Sequence, residues 1–572
     1  MSALSDTATA RASIPLPGRL ALLVDASLGM GNFLDKAHRV SPAPREPFLF
    51  AQRADAGRIR IEPLSLTRLR AIRDGYASWY HEAAIRRGEP VGICVSEDIE
   101  PFLHYLALGS LGAIAALVNA RMPAAVAGAY LRRVGVVGVV ATADRLRALE
   151  AAGTLPDDLR FREDVEALRA SAEHVGSLPA VFPYRHGDRE PVMLCHTSGT
   201  TGPPKAAIFG HRQFFLGKRQ RLLRFPPAAH NRMLSALPQS HSAGISYVMT
   251  ATILGLPTVV MADTSAEAVH DAMRQFKPTI VTGFPQTYAA LSQLDLDPDA
   301  TGDVHTWINT GDSAHEAHVR ALVRHGRRGR RSGSSFVDGL GSSEMGMALF
   351  RRVSTPETTL YARCVGKPVG IVKRAAVLDD GGHELQTGQA GRLGVRTPTV
   401  TPGYWNDSAL TAASFLCGYW LTGDVVRKDE AGRFFHLDRV PDVIHTSSGP
   451  VYSLPMEEAI MAGCAAIADC AVVAVAPPAP DTASVPFASV IVTPGRQPPE
   501  HLLEALNAAL DARGLPALAG AVVARTPADF PTGPTGKVLK RELRERFADV
   551  LRRAGSPRTA TAQPPVYVDS FR

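Results

Sequence analysis

The chain has 572 residues, 45% of them hydrophobic and 20% charged, with a formal net charge of +7. That length exceeds one ordinary core, and the composition excludes a disordered, collagenous or disulfide-stapled chain. The surplus positive charge is spread out. Its densest run, "RHGRRGRRSG" (Arg324 to Gly333), has no RNA-recognition, zinc-finger or basic-zipper pattern beside it, so it reads as a solvated loop and no nucleic-acid partner is expected.

Nine of the 62 basic residues are lysine, which singles out Lys205 and Lys537. Six cysteines with no CxxC pair, and no basic leader before an apolar core, predict reduced thiols and a cytoplasmic protein.

The first dozen residues read as poorly ordered, and positions 1–50 as an N-terminal extension or the start of the core. From about residue 88, short β-rich runs alternate with helical ones. "PVGICVS" reads as a strand. The apolar stretch from Phe102 to Ala120 reads as a buried helix running into a strand, not a membrane span. "PVMLCH", "PTIVTG" and "DVHTWINTG" are further strands. Ser313, three residues before Glu316, has capping-box spacing at the mouth of an amphipathic helix.

This alternation predicts an α/β fold with crossover helices. From Val365 glycine turns and short strands predict a smaller β unit, and "FFHLDRVPDVIHTSSG" (Phe434 to Gly449) reads as a linker. A last unit has strands at "CAVVAVAP" and "FASVIVTP" and helices at "EHLLEALNAALDARG" and "VLKRELRERFADVLRRA". The expected division is a large domain at 51–438 with its β part at about 365–438, a C-terminal domain at 439–552, and a tail at 553–572.

The most informative string is "HTSGTTGPPK" (His196 to Lys205). It is not a Walker A loop, because Lys205 follows Pro204 and precedes Ala206. It still holds what an anion cradle needs: glycines that let backbone N–H groups close in, hydroxyls, and a compact cation.

The string resembles the signature loop of the adenylate-forming superfamily, which includes acyl- and aryl-CoA synthetases, luciferase and peptide-synthetase adenylation domains. Companion segments follow in the family's order: "LPQSHSAG" (Leu237 to Gly244), "NTGDSA" (Asn309 to Ala314), "LGSSE" (Leu340 to Glu344), the segment from Tyr419 to Arg439 with its TGD, and "PTGPTGKVLKREL" (Pro531 to Leu543). The resemblance covers roughly residues 88 to 550.

It implies a large N-terminal domain of two α/β sheets plus a small β subdomain, and a small mobile C-terminal α+β domain. It implies a ligase that joins a carboxylic acid to ATP, forms an acyl- or aryl-adenylate and pyrophosphate, and passes the acyl group on, most often to CoA. ATP and Mg²⁺ are the expected cofactors, with CoA as a possible co-substrate and a small carboxylic acid, CoA or a carrier protein as partners.

Carried over position by position, Thr197, Ser198, Gly199, Thr200, Thr201, Gly202 and Lys205 would hold phosphates. Asp312, Ser313, Leu340, Gly341, Ser342 and Ser343 would border the nucleotide. Asp424 would grip the ribose hydroxyls, with Arg439 as a second ribose or phosphate contact. Glu344 would carry the metal. Lys537 would swing in for adenylation, and His241 would stand beside the reacting carboxylate. His241, Ser242, Ile245, Thr310, Gly311, Asp312 and Met345 would line the acid pocket.

Three positions depart from the family pattern. Asp312 stands where Gly or Ala is usual, at the wall between adenine and acid. Two orientations are open to it: toward a polar or amino group of substrate or adenine, or away, capping the next helix. Leu340 replaces an aromatic that stacks on adenine. Pro441 stands at the hinge, where Asp or Lys is usual; a fixed φ hinders rotation, so the second half-reaction is expected to be altered.

The acceptor therefore stays open between CoA and another one: a carrier protein, an amine or other nucleophile, or a partner enzyme. Two readings from other classes are weaker. "GLGSSEMG" lacks the G-x-S-x-G spacing of a nucleophile elbow. A non-catalytic nucleotide-binding protein has no need of Glu344, Asp424, Arg439 and Lys537 together.

Overall fold

The computed structural model describes residues 12–55, 58–197, 204–225, 231–476, 483–526, 529–533 and 537–554. Two large sheets and one small one carry the molecule.

The first sheet has six strands in the order Phe161–Asp164, Gly138–Ala141, Pro90–Cys94, Ile114–Leu117, Pro191–Thr197, Lys205–Gly210. The first five are parallel and the last pair antiparallel. Its central strands are buried at every position, as expected of a parallel sheet covered on both faces.

The apolar stretch after Phe102 belongs here. Glu100–Leu111 is a wholly buried helix, stopped by Gly112 at φ +78°, and Ile114–Leu117 is the next strand. A left-handed residue at that place ends the helix without a Cβ penalty. No described helix is long and apolar enough to cross a membrane.

The second sheet has a parallel centre containing Pro47–Asp55, Thr258–Val260, Met233–Ala236, Ile280–Gly283, Thr306–Asn309 and Ser335–Asp338. The β-rich region continues this sheet. Phe350–Ser354 and Cys364–Pro368 lead antiparallel into Phe434–Arg439, Tyr419–Lys428, Ala390–Arg396 and Arg374–Leu378, making one path of strands.

One element differs from the sequence reading. Phe434–Arg439 is a buried strand, so only the 3-10 turn Val440–Asp442 and its neighbour link it to the next strand, Ile444–Thr446. The segment before residue 51 is part of the core: Phe33, Phe48 and Leu49 have no exposed surface. The first eleven residues and those after 554 lie outside the described residues.

The small C-terminal domain is a three-stranded sheet of Ile467–Val475, Val485–Val492 and Gly520–Val523. Its strands alternate between two cores. Cys470 and Val472 face the helices Ser453–Gly463 and Leu502–Asp511, while Ala471 and Val473 face Leu543 and Phe547 of Lys540–Ala554. Side chains of period two explain this split. The arginine run from Arg324 forms a two-stranded hairpin, with Arg327 paired to Asp303 and Arg328 to Glu357.

Candidate active site

A cavity of about 990 Å³ opens where the two large sheets meet the C-terminal domain. At one end the first sheet presents Thr197 and Lys205, opposite each other on the antiparallel pair that brackets the glycine loop. Ser198, Gly199, Thr200, Thr201 and Gly202 lie outside the described residues.

Lys205 Nζ lies 5.5 Å from the centroid of the Tyr404 ring. The Tyr404 hydroxyl donates to Glu344 Oε1 at 2.9 Å. Tyr404 thus ties the loop's cation to the expected metal-binding acid. Sequence reasoning missed it, although it stands in the glycine-rich region that begins at Val365.

At the nucleotide end, Asp424 is 1% exposed. Its Oδ1 accepts from Arg439 at 3.0 Å, with His436 Nε2 at 3.4 Å. Burial would raise its carboxyl, but Arg439 and His436 hold it well below the usual carboxylate range. Asp424 Oδ2 is buried with no partner, as are Asn309 Oδ1 and Ser313 Oγ. All three residues line the cavity. Leu340, Gly341, Ser342 and Ser343 form the neighbouring wall.

The expected capping box is absent. The helix Glu316–Val323 has His315 at its N-cap and no side-chain cap of its own. The carboxylate that accepts the Glu316 amide is Glu458 of the C-terminal domain, so the cap comes from across the cleft.

Lys537, Asp312 and His241 meet in the middle. Asp312 Oδ2 is 3.7 Å from Lys537 Nζ, both side chains being about two-fifths exposed. Asp312 Oδ1 accepts its neighbour Ser313 N–H at 2.8 Å and caps no helix. Burial pushes the Asp312 carboxyl up, but Lys537, His436 and Arg363 outweigh it and bring it down to about 2.

His241 Nδ1 accepts the Ala243 N–H at 3.1 Å. Burial, then the charges of His196 and Lys537, lowers its pKa to about 3. The ring is neutral at physiological pH, and the proton sits on Nε2, which makes it a donor.

Ser242, Thr310 and Gly311 line the cavity; Ile245 and Met345 do not. Both are fully buried in core clusters, because the helix Ser242–Leu254 turns its Ile245 face inward. Gly311 has φ +95°, and a Cβ there would come 2.9 Å from the Phe284 ring, so the turn before Asp312 requires glycine. His196, the first residue of the glycine-loop string, also lines the wall, as do Arg221 and Phe284, to which no motif pointed.

Pro441 lies inside the turn Val440–Asp442. Arg544 Nη1 donates to the Pro441 carbonyl at 3.3 Å and to Asp442 Oδ1 at 2.8 Å. The hinge turn is therefore tied to the last helix of the C-terminal domain.

The donor set suits a nucleotide. The orphaned oxygens of Asp424, Asn309 and Ser313 are acceptors for hydroxyl or amino hydrogens. Among the described residues no cluster of three or more His, Cys, Asp or Glu could cage a metal. Glu344 alone suits Mg²⁺, which takes few protein ligands and completes its shell with phosphates and water.

The α/β fold and a cavity shared with a small C-terminal domain that delivers a lysine define an adenylate-forming enzyme. The chain belongs to the AMP-binding enzyme family, whose model matches residues 59–405. It is 39% identical over 556 residues to 3-aminoavenalumate diazotase of a Streptomyces species, covering 93% of this chain and 98% of that protein. It is 25% identical over 424 residues to 3-amino-2-hydroxy-4-methoxybenzoate diazotase of Streptomyces cremeus, covering 68% and 74%. Among solved structures, the anthranilate CoA ligase AuaEII in complex with anthranoyl-AMP matches with a TM-score of 0.78 at 19% identity, over 92% of this chain and 99% of that one.

Proposed function

We propose that this adenylating enzyme activates nitrite with ATP and passes its nitrogen to an aryl amine, forming a diazonium group and releasing AMP. One observation carries the reading: Asp312 puts a carboxylate beside Lys537 at the centre of the cavity. Asp312 is an acceptor at that place, and a substrate carboxylate has no hydrogen to give it. An amine instead offers N–H donors to Asp312. The two diazotases among the relatives support an amine acceptor, and the 39% relative spans nearly the whole of both chains.

The roles assigned here are those that the family resemblance implies, set on this geometry. Lys205 and Thr197 take the phosphates, and Asp424 takes the ribose hydroxyls on its free oxygen. Glu344 and the nucleotide would hold Mg²⁺, which would supply positive charge to the departing pyrophosphate. Lys537 steadies the α-phosphoryl oxygens, and His241 Nε2–H donates to an oxygen of the acid being activated.

A nitrite oxygen attacks the α-phosphorus and pyrophosphate leaves. The amine lone pair then attacks the nitrite nitrogen, the bond from that nitrogen to the AMP oxygen breaks, and Asp312 accepts the amine proton. The resulting N-nitroso group tautomerises, takes up one proton at oxygen and loses water, leaving the diazonium.

No thiol is needed, so the C-terminal domain has no second arrangement to reach. That agrees with Pro441 at the hinge and with Arg544 holding its carbonyl. CoA transfer is the competing reading from the family resemblance. The deciding assay supplies ATP, Mg²⁺ and an amino-aryl acid, with nitrite or with CoA. Expected is nitrite-dependent AMP release and an azo dye when a naphthol traps the product. A CoA thioester formed without any need for nitrite sinks the proposal.

A further inference from the structure

Arg221 ends the cavity away from Lys537. It stands near the end of the helix His211–Arg224 and lines the cavity wall. Its Nη1 donates to Thr250 Oγ1 at 2.8 Å and lies 3.4 Å from Ser246 Oγ, and its guanidinium stacks 4.4 Å from the Tyr247 ring centroid.

Those contacts locate it. Ser242, Ser246 and Thr250 are four residues apart on the helix Ser242–Leu254 and so share a face. Lys537 is close enough to His241, the cap of that helix, for its charge to press on the imidazole. At 1.5 Å per residue, Ser246 and Thr250 lie roughly 6 and 12 Å below Ser242. Arg221 therefore sits one to two turns beneath the reacting end, the span of an aromatic ring with a short arm.

The charge around Arg221 is uncompensated. Lys218, three residues earlier, is 2% exposed and donates to the Phe214 carbonyl. Arg19 donates to the Leu222 and Phe225 carbonyls, and Arg219 to those of Leu23, Asp25 and Leu28. Among the described residues no carboxylate pairs with any of these four cations. Burial, with the charge of Arg221 added, holds the Lys218 ammonium well below its usual value. Arg19 is buried and Arg219 and Arg221 are half-buried, and positive charge held this way without an acid is costly unless a ligand brings one.

We infer that Arg221 anchors a carboxylate carried by the acceptor at the end remote from its amine. The acceptor is thus an amino-aryl acid whose carboxylate is recognised and not activated. This rests on the amine-acceptor reading above and fixes the orientation in the same pocket: amine toward Asp312 and Lys537, carboxylate toward Arg221. A planar guanidinium meets a carboxylate through two parallel N–H donors, which a neutral amide cannot match.

The test compares 3-aminobenzoate and 3-aminocinnamate with their primary amides, in the wild type, Arg221→Met and Arg221→Lys. Binding is measured by titration calorimetry and turnover by nitrite-dependent AMP release, with melting temperature as the control for folding. The wild type is expected to prefer one or both acids over the amides by about ten- to a hundredfold. Arg221→Met should erase that preference chiefly through KM, and Arg221→Lys should keep part of it.

Equal binding of acid and amide by the wild type overturns the inference, and the wild type alone decides this. So does an equal loss for acid and amide in Arg221→Met. Pyrophosphate exchange driven by the amino-aryl acid alone also overturns it, because the carboxylate then sits at the AMP end. An Arg221-dependent preference in binding without nitrite-dependent AMP release keeps the anchor and overturns diazotisation instead.

Discussion

Glu458 Oε1, on the C-terminal domain, accepts the backbone N–H of Glu316 at 2.5 Å, while its Oε2 lies 3.1 Å from His315 Nδ1. One carboxylate thus caps a helix of the large domain and pairs with the imidazole at that helix's N-cap. Arg363 approaches the same carboxylate at 3.5 Å, and His318 meets the Ala468 carbonyl at 3.0 Å. These contacts hold the arrangement that places Lys537 in the cavity.

Removing this cap loosens closure. Burial would raise Glu458, but His315, then Arg363 and the Glu316 amide, bring it down to about 2, so it is ionised throughout the working range. Glu458→Ala leaves the helix end uncapped and His315 unpaired, costing closure about 1–2 kcal/mol. Pyrophosphate exchange should fall about five- to thirtyfold, with more rapid proteolysis near residue 441. Unchanged exchange and proteolysis would show that the contact is incidental.

Closure should also depend on pH. Burial pushes His315 down, but Glu458 outweighs it and the net pKa is raised. A group raised in the closed state stabilises that state fully below its open-state value, about 6.5. The stabilisation is lost as pH rises through the closed value. His318 and Asp469 face the same imidazole, and Asp469 Oδ1 lies 3.9 Å away. Exchange should therefore decline on the alkaline side, and His315→Gln should remove that limb. A limb that survives in His315→Gln belongs to another group.

Asp312→Ala separates activation from amine transfer. A proton acceptor is worth about 10²- to 10⁴-fold, and the nitrogen it relieves becomes strongly acidic once nitrosated, so even a weak base suffices. Amine-dependent AMP release should fall by that order, while nitrite-driven pyrophosphate exchange should hold, because activation itself needs no proton acceptor. Amine-dependent release at the wild-type rate removes the basis for the proposed role.

Much of the site was legible because each motif keeps its residues close in the chain: Asp424 with Arg439, and Lys205 with Thr197. What escaped lies in pairings between distant segments. The spacing of Ser313 and Glu316 suggested a local cap, but the acceptor is 142 residues away. Arg221 meets Thr250 across 29 residues, and no local pattern announces it. The helix Ser242–Leu254 is buried almost all round, so its sequence carries no amphipathic signal to separate Ser242, at the cavity, from Ile245, in the core. The strand Phe434–Arg439 resembled a linker because the turn containing Pro441 follows at once.

Pro441→Ala tests whether the hinge residue acts by stiffness. Alanine keeps the carbonyl that Arg544 holds and restores freedom in φ, so stability should drop by about 0.4–1 kcal/mol through the unfolded chain. Adenylation, measured by exchange, should change little. If thioester formation appears with CoA in Pro441→Ala and not in the wild type, proline blocks an existing second step. No thioester in either protein is expected, because the acceptor is an amine.

The tie from Tyr404 to Glu344 gives the final prediction. The hydroxyl donates at 2.9 Å to Glu344 Oε1, and Lys205 Nζ lies over the ring, 5.5 Å from its centroid. Tyr404→Phe keeps the ring under Lys205 and deletes only the donor. Glu344 then loses orientation and not charge. A positioning effect of this kind should raise the Mg²⁺ concentration needed for half-maximal exchange by about five- to thirtyfold, since one hydrogen bond to a charged group is worth about 1–2 kcal/mol at a part-exposed site. The KM for the amine should not move, because Tyr404 is remote from Arg221. Glu344→Gln, which removes the charge itself, should raise the Mg²⁺ requirement further than Tyr404→Phe does. Equal effects of the two substitutions would mean that Glu344 serves only to hold Tyr404, and that the ion is carried by the nucleotide alone.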